Sequence, residues 1–147
     1  MREEDVPIEL AERRCPDFGD PPWVESPARN SRRVAIVSTA GLMQRGDRPF
    51  GFGSADYRII DRLDSRDLLM THVSTNFDRS GFLQDNEVVF PLQRLLEAAG
   101  DKEIEAVARC HFSVMGATHP EQMRPAAQQL ARAMVGEGTN IALLVPV

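Results

Sequence analysis

The residues with the most chemistry in the least space run from Thr71 to Asp85. This stretch holds His72, Asn76, Asp78, Arg79 and Asp85 among several hydroxyl and amide side chains. An arginine can fork to a carboxylate while an aspartate faces a cation, so such a set could orient a small polar or zwitterionic substrate. The same residues also have a plain structural use. Asp78 and Asp85 would then cap turns, Asn76 would shape a loop, and His72 would close a strand.

His111, within Arg109-Cys110-His111-Phe112-Ser113, is the second candidate for acid–base work. His72 and His111 carry the side chain whose ordinary pKa lies nearest neutrality, and either could hand a proton to a leaving amine. A metal could be drawn from His72, His111 and His119 with Asp78 or Asp85, but their spacings match no ligand pattern. No metal and no cofactor is expected. Cys15 and Cys110 form no CxxC pair, and in a reducing compartment they read as free thiols. Cys110 adjoins His111, but neighbours on a strand point to opposite faces, so an inert thiol is the expectation. The glycine-rich stretch Gly41–Gly53 has neither GxxxxGK[ST] nor a GxGxxG that opens a helix. It reads as a substrate-covering loop or a plain connection.

Several elements must position these groups. Residues 1–31 are rich in proline and charge, which predicts an extended arm with at most a short helical turn at Ile8–Arg13. Trp23 would pin that arm to the domain surface. Residues 32–147 then form the folded domain. Arg33–Ala40 is an apolar, β-branched run, predicting a strand buried on both faces, and Gly41–Ser54 predicts a loop. Tyr57–Ile60 and Leu68–Ser74 are further strands. Pro91 opens a helix with Leu92, Leu95, Leu96 and Ala99 on one face, stopped by Gly100. Ile104–Met115 fits either a short helix or a strand. Thr118 and Glu121 form a capping box for a helix that buries Met123, Ala127, Leu130 and Met134 and ends at Gly136 or Gly138. Asn140–Val147 predicts a second doubly buried strand. The expected fold is therefore α/β, an open and mostly parallel sheet with flanking helices, preceded by the extended arm. Such sheets bind ligands beyond the carboxyl ends of their strands, here Thr39–Gly41, Thr71–Asn76 and Pro146–Val147.

Composition bounds the rest. A chain of 147 residues is the size of one domain. Apolar residues at 42% and charged residues at 27% exclude a wholly disordered chain and a coiled coil. A net charge of −5 with no basic stripe argues against nucleic acid as a partner. No apolar run reaches the roughly 20 residues of a membrane helix, and the N-terminus carries no apolar leader, so a cytoplasmic location is expected.

Taken in order, Val34–Gly41, Arg45–Phe50, Asp56–Arg58, His72–Asp85, Val88–Pro91 with Arg94-Leu95, His111 with Met115-Gly116, and Leu143–Val147 resemble the selenoprotein B family. Its members are the glycine, sarcosine, betaine and D-proline reductase subunits. The resemblance runs from about Pro7 to Val147, and one departure is Asn86-Glu87, where an apolar residue followed by Asn is the family pattern. It implies reductive cleavage of a C–N bond in an amino acid or an N-methylated relative. A selenocysteine or cysteine would attack the substrate carbon and displace the amine, and a thiol would resolve the intermediate. The resemblance places that redox pair directly after the Leu143–Val147 strand, so the expectation is a frame cut at a selenocysteine codon. His72 and His111 would act on protons, while Asn76, Asp78, Arg79 and Asp85 would bind substrate. A thiol-redox or reductase-complex partner and a homo-oligomer remain open. Two other readings stand beside it. One is a non-catalytic binding or assembly module completed by a partner chain, and the weaker one is a His/Asp-dependent hydrolase or lyase.

Overall fold

In a computed structural model, residues 17, 19, 24–74 and 79–147 are described. The helical turn expected at Ile8–Arg13, the pin at Trp23, Cys15, and the candidates Asn76 and Asp78 lie outside the described residues.

The chain enters through a 3-10 turn at Arg29–Ser31 and then forms β1, Arg33–Ser38. This strand is the axis of the sheet. Strand β7, Ile141–Val145, pairs with it in parallel along its whole length, from Val34↔Ile141 to Ser38↔Val145. The other side of β1 takes two successive segments, also parallel. These are β5 (Ala106–Val107) through Arg33↔Ala106 and Val34↔Val107, and β6 (Cys110–Val114) through Val37↔Phe112 and Ser38↔Ser113. Strand β3, Tyr57–Asp61, closes the far edge antiparallel to β6. The sheet is thus mostly parallel, with helices on both faces.

The ambiguous stretch Ile104–Met115 resolves as β5 and β6. Between the two registers β1 advances from Val34 to Val37 while its partner advances from Val107 to Phe112, so the partner bulges at Ala108–His111.

Two faces make two cores. On one, Ile36, Ile60 and Val107 pack under α2 (Leu92–Gly100), with Phe90 and Leu92 buried and Leu95, Leu96 and Ala99 against them. The predicted i, i+3, i+4, i+7 face is therefore the buried one. The Glu87 carboxylate accepts from the amides of Gln93 (3.0 and 2.9 Å) and Arg94 (3.2 Å), serving the orphan donors of that helix start. On the other face, Ala35, Ala108 and Phe112 pack under α3 (Pro120–Gly136) through Leu130 and Met134.

Several expectations are corrected. Leu42–Gln44 is a strand, β2, and not part of the loop, because it pairs antiparallel with β4 (Leu68–Met70) in a separate ribbon that buries Leu42 and Met43. The strand predicted over Leu68–Ser74 therefore stops at Met70 and does not join the main sheet. Thr118 does not form the capping box. Its hydroxyl donates to the Ser54 carbonyl (2.6 Å), and His119 caps α3 through Nδ1. On α3 the buried small residue is Ala126, while Ala127 is exposed. Strand β7 is buried on one face only. Ile141, Leu143 and Val145 are half-buried, but Ala142 and Leu144 face solvent, because α3 lies over β1 and β6 and does not extend across β7.

Candidate functional site

The carboxyl ends of β1, β6 and β7 meet at one end of the sheet. Thr39, the residue after β1, holds that meeting together. Its amide donates to the Val145 carbonyl (3.0 Å), and its hydroxyl accepts from the Val147 amide (2.8 Å). Gly116, two residues past β6, donates its amide to the Thr39 carbonyl at 3.0 Å. A Cβ at position 116 would lie 2.9 Å from that same oxygen, so only glycine allows the approach.

Below these tips, Gly41 turns the chain with φ +63 and brings it against the segment after β4. Its carbonyl accepts from both the amide (2.9 Å) and the hydroxyl (3.1 Å) of Thr71. The Thr71 hydroxyl in turn accepts from the Phe50 amide (3.3 Å), tying down the glycine-rich loop. Arg58 folds that loop further. Its guanidinium lies 4.3 Å from the centre of the Phe50 ring and donates twice to the Arg48 carbonyl, at 2.9 and 2.8 Å.

His72 follows Thr71 and is buried beside Gly41 and Met115. Its Nδ1 accepts from the Ser74 amide (3.2 Å), which places the proton of the neutral ring on Nε2. Burial pushes its pKa below the ordinary histidine value, and the nearby Arg79 cation pushes the same way. Arg79 is the expected carboxylate fork, and its Nη2 is used on the backbone. Its guanidinium turns back onto the carbonyls of His72 (2.7 Å) and Ser74 and so shapes the loop that follows β4. The structure therefore brings His72 and Arg79 together.

Asp85 and His111 lie elsewhere. Asp85 follows the short helix α1 (Ser80–Gln84), is exposed, and caps the next turn by accepting from the Glu87 amide (2.9 Å). His111 sits inside the bulge of β6, fully buried. Its Nδ1 accepts from the Ile36 amide (3.0 Å), and Phe90 meets its ring edge-to-face at 5.4 Å. The side chain stands in for the ladder partner that the bulge takes away from Ile36. Its pKa is lowered to about 4, chiefly by burial and secondarily by the Arg62 cation. Both histidines are thus neutral near pH 7. Sequence reasoning singled out His111 for its ring; the bulge that explains it became visible only with the pairing registers.

Cys110 is the cysteine of the described residues. Its thiol donates to a Glu137 carboxylate oxygen at 2.9 Å, and its pKa is pushed up to about 11, first by burial and then by Glu137. A thiol in that range is a poor nucleophile at neutral pH. Alkylation of Cys110 should accelerate with pH up to a midpoint near 11. Glu137→Gln should move that midpoint down. A thiol-reactive probe followed by stopped flow from pH 7 upward, with Cys15→Ser as background, measures both. Equal midpoints would show that the carboxylate contact is not maintained.

An apolar groove of about 650 Å³ begins at the strand tips and runs between α3 and β7. Thr39 and Gly116 line its head, Leu130, Met134 and Leu144 its walls, and Thr139 and Asn140 its far end. No charged residue among those described lines it. Among the described residues, no group of three or more His, Cys, Asp or Glu could hold a metal ion, and no helix is long and apolar enough to cross a membrane. No protein-family model, curated protein or solved structure matches this chain.

Proposed function

We propose that the chain is an oxidoreductase-family domain that presents a small amino acid, or an N-methylated one, for reductive cleavage of its C–N bond. The observation that carries the reading is the convergence of three separated segments of the resemblance at one end of the sheet. These are Thr39–Gly41, Met115-Gly116 and Val145–Val147, with His72 packed against Gly41. That end is where an open α/β sheet takes its ligand.

The chemistry runs in two steps. A selenolate or thiolate attacks the carbon bearing nitrogen, so a C–Se or C–S bond forms as the C–N bond breaks. The amine leaves with the bonding pair. A second thiol then attacks the selenium or sulfur, the carbon keeps the electrons and gains a proton, and a selenosulfide or disulfide remains to be reduced. Cys110 is unsuited to the first step, being held protonated beside Glu137. A substrate ammonium departs as a neutral amine without any added proton, so a neutral His72 is compatible with the reaction. Its role in this reading is to donate Nε2–H to the substrate carboxylate, in place of acting as an acid.

Ligand-observed NMR with glycine, sarcosine, betaine and D-proline tests the reading, followed by amine release with dithiothreitol and a selenol or thiol donor protein. One member of the set should bind, and His72→Ala should weaken it about tenfold or more, the value of one lost hydrogen bond of about 1.4 kcal/mol. Absence of binding by all four would overturn it.

A second reading, an assembly module completed by a partner, is favoured by the outer edge of β7, which among the described residues pairs with β1 alone. Sedimentation across a range of concentrations decides it, since a partner-completed fold gains stability by mass action.

A further inference from the structure

The residues that follow β3 carry charge that the strand tips do not use. Asp61 accepts from the Leu63 amide (2.9 Å) and opens a 3-10 turn, Arg62–Asp64, which the Ser65 hydroxyl closes by donating to the Arg62 carbonyl (3.1 Å). This turn sets Arg62 and Arg66 on one side of a cleft of about 360 Å³. The other side is built from Asn86, Glu87 and residues of the segment that opens α2. The volume lies within the roughly 300–1,000 Å³ of small-molecule sites. We propose that this cleft binds a small monocarboxylic acid with a short apolar body, its carboxylate held by Arg62 and Arg66 and its body laid on Phe90, Leu92 and Leu96.

Charge selects the ligand class. Among the described residues, the charged groups lining the cleft are the two guanidinium groups and the Glu87 carboxylate. Glu87 is occupied, since its oxygens accept from the amides of Gln93 (3.0 and 2.9 Å) and Arg94 (3.2 Å). The aspartates flanking the turn are taken by other arginines, Asp61 by Arg109 (2.9 Å) and Asp67 by Arg45 (2.6 Å). In a chain of net charge −5 the cleft therefore keeps one positive charge in excess, which a single carboxylate balances. A doubly charged phosphate would instead leave surplus negative charge beside Glu87.

The donors and the apolar floor are in place. Arg62 is half-buried and anchored, its amide donating to the Arg109 carbonyl (2.8 Å) and its Nη1 to the Val107 carbonyl (3.1 Å). Arg66 is exposed and makes no hydrogen bond or ion pair among the described residues, and the same holds for the side-chain amides of Asn86 and Gln93. A guanidinium fork matches the two oxygens of a carboxylate. Phe90 and Leu92 are buried, Leu96 is half-buried, and Leu63, 73% exposed, adds an apolar rim for a short chain or ring. Phe90 also meets the His111 ring edge-to-face at 5.4 Å, so a ligand resting on Phe90 is felt at His111. Because β3 runs antiparallel to β6, the Arg62 turn lies by the amino end of β6 and not at the strand tips, where His72 packs on Gly41. Binding here is independent of the chemistry at those tips.

NMR titration of the full chain with sodium hexanoate and sodium benzoate, at fixed ionic strength, tests the assignment. One of the two acids should bind saturably, with a Kd of about 1 mM or below, and move the His111 ring signals. Hexanamide and benzamide, similar in shape but uncharged, should bind about tenfold or more weakly, and Arg66→Gln should weaken the acid by a similar factor. Arg62→Gln should act in the same direction. It also gives up the Val107 contact, so if circular dichroism shows a perturbed fold, Arg66→Gln decides alone. The proposal is overturned if neither acid saturates, if the amides bind equally well, or if Arg66→Gln leaves the Kd unchanged. Inorganic phosphate binding as tightly as the acids overturns it too. Acid binding that moves the His72 signals alone does the same, and would place the acid at the strand tips.

Discussion

Acidification from pH 6.5 to about 4 should remove roughly 3 kcal/mol from the stability of the wild-type fold, over and above what the same change removes from His111→Gln. The sign follows from the depressed pKa of His111 in the folded chain. Between about 4 and its ordinary value of 6.5, the unfolded chain takes up a proton that the folded chain refuses. The unfolded state then binds more protons, so stability is fully present above pH 6.5 and drains as pH falls through this window. Below about pH 4 the contribution levels off. Glutamine removes the titration while its amide oxygen can still accept from the Ile36 amide. His72, also depressed, and the surface carboxylates Asp61 and Asp67 are common to both proteins and cancel in the difference. Near pH 7 the variant should be less stable than wild type by about 1–2 kcal/mol, since the new NH₂ group finds no acceptor in a core site. Urea unfolding at half-unit pH intervals gives the curves, and the His111 ring carbon shift gives the pKa directly. Parallel curves for the two proteins would mean that the ring is not held neutral in the bulge.

The same residue shows what could be read from the sequence and what could not. Val34–Val37 and Ile141–Val145 are apolar over several consecutive residues, and both are strands of a mostly parallel sheet, although cover on both faces is realised for β1 and not for β7. Leu92, Leu95, Leu96 and Ala99 repeat at helical spacing, and they form the buried face of α2. Periodicity is a local signal, so local elements followed from it. Pairing is not local. Nothing in Leu42-Met43-Gln44 announces a strand directly after a glycine, because its reason is Leu68–Met70, some 26 residues on. His111 looked like an acid–base group because its type was visible, whereas the bulge needing its Nδ1 depends on the register of two strands. Arg79 is similar. Its residue type suggested a carboxylate fork, while its geometry commits it to backbone carbonyls seven and five residues earlier. The open face of β7 was invisible for the opposite reason, since burial depends on where α3 stops across the sheet.

Gly41→Ala should destabilise the fold by about 2–4 kcal/mol and raise the pKa of His72 toward the ordinary histidine range. Two effects combine there. An alanine at φ +63 meets left-handed backbone strain of roughly 1–2 kcal/mol. Its Cβ would also stand 3.1 Å from the His72 amide nitrogen and 3.2 Å from the His72 Cα, against backbone that cannot swing aside, which adds about 1–3 kcal/mol of overpacking. Met115 also lies 3.1 Å away, but its flexible end can give. Gly53→Ala separates the two effects. It has φ +71 and nothing within 4 Å of the new Cβ, so it carries the strain without the clash. The difference between the variants therefore measures how firmly the end of β1 presses on His72. Displacing His72 loosens the burial that depresses its pKa and moves it relative to Arg79, and both changes act upward. The His72 titration by NMR reads this independently of stability. If Gly41→Ala and Gly53→Ala lose equal stability and leave that titration alone, Gly41 is only a turn, and the tips of the sheet do not position the histidine.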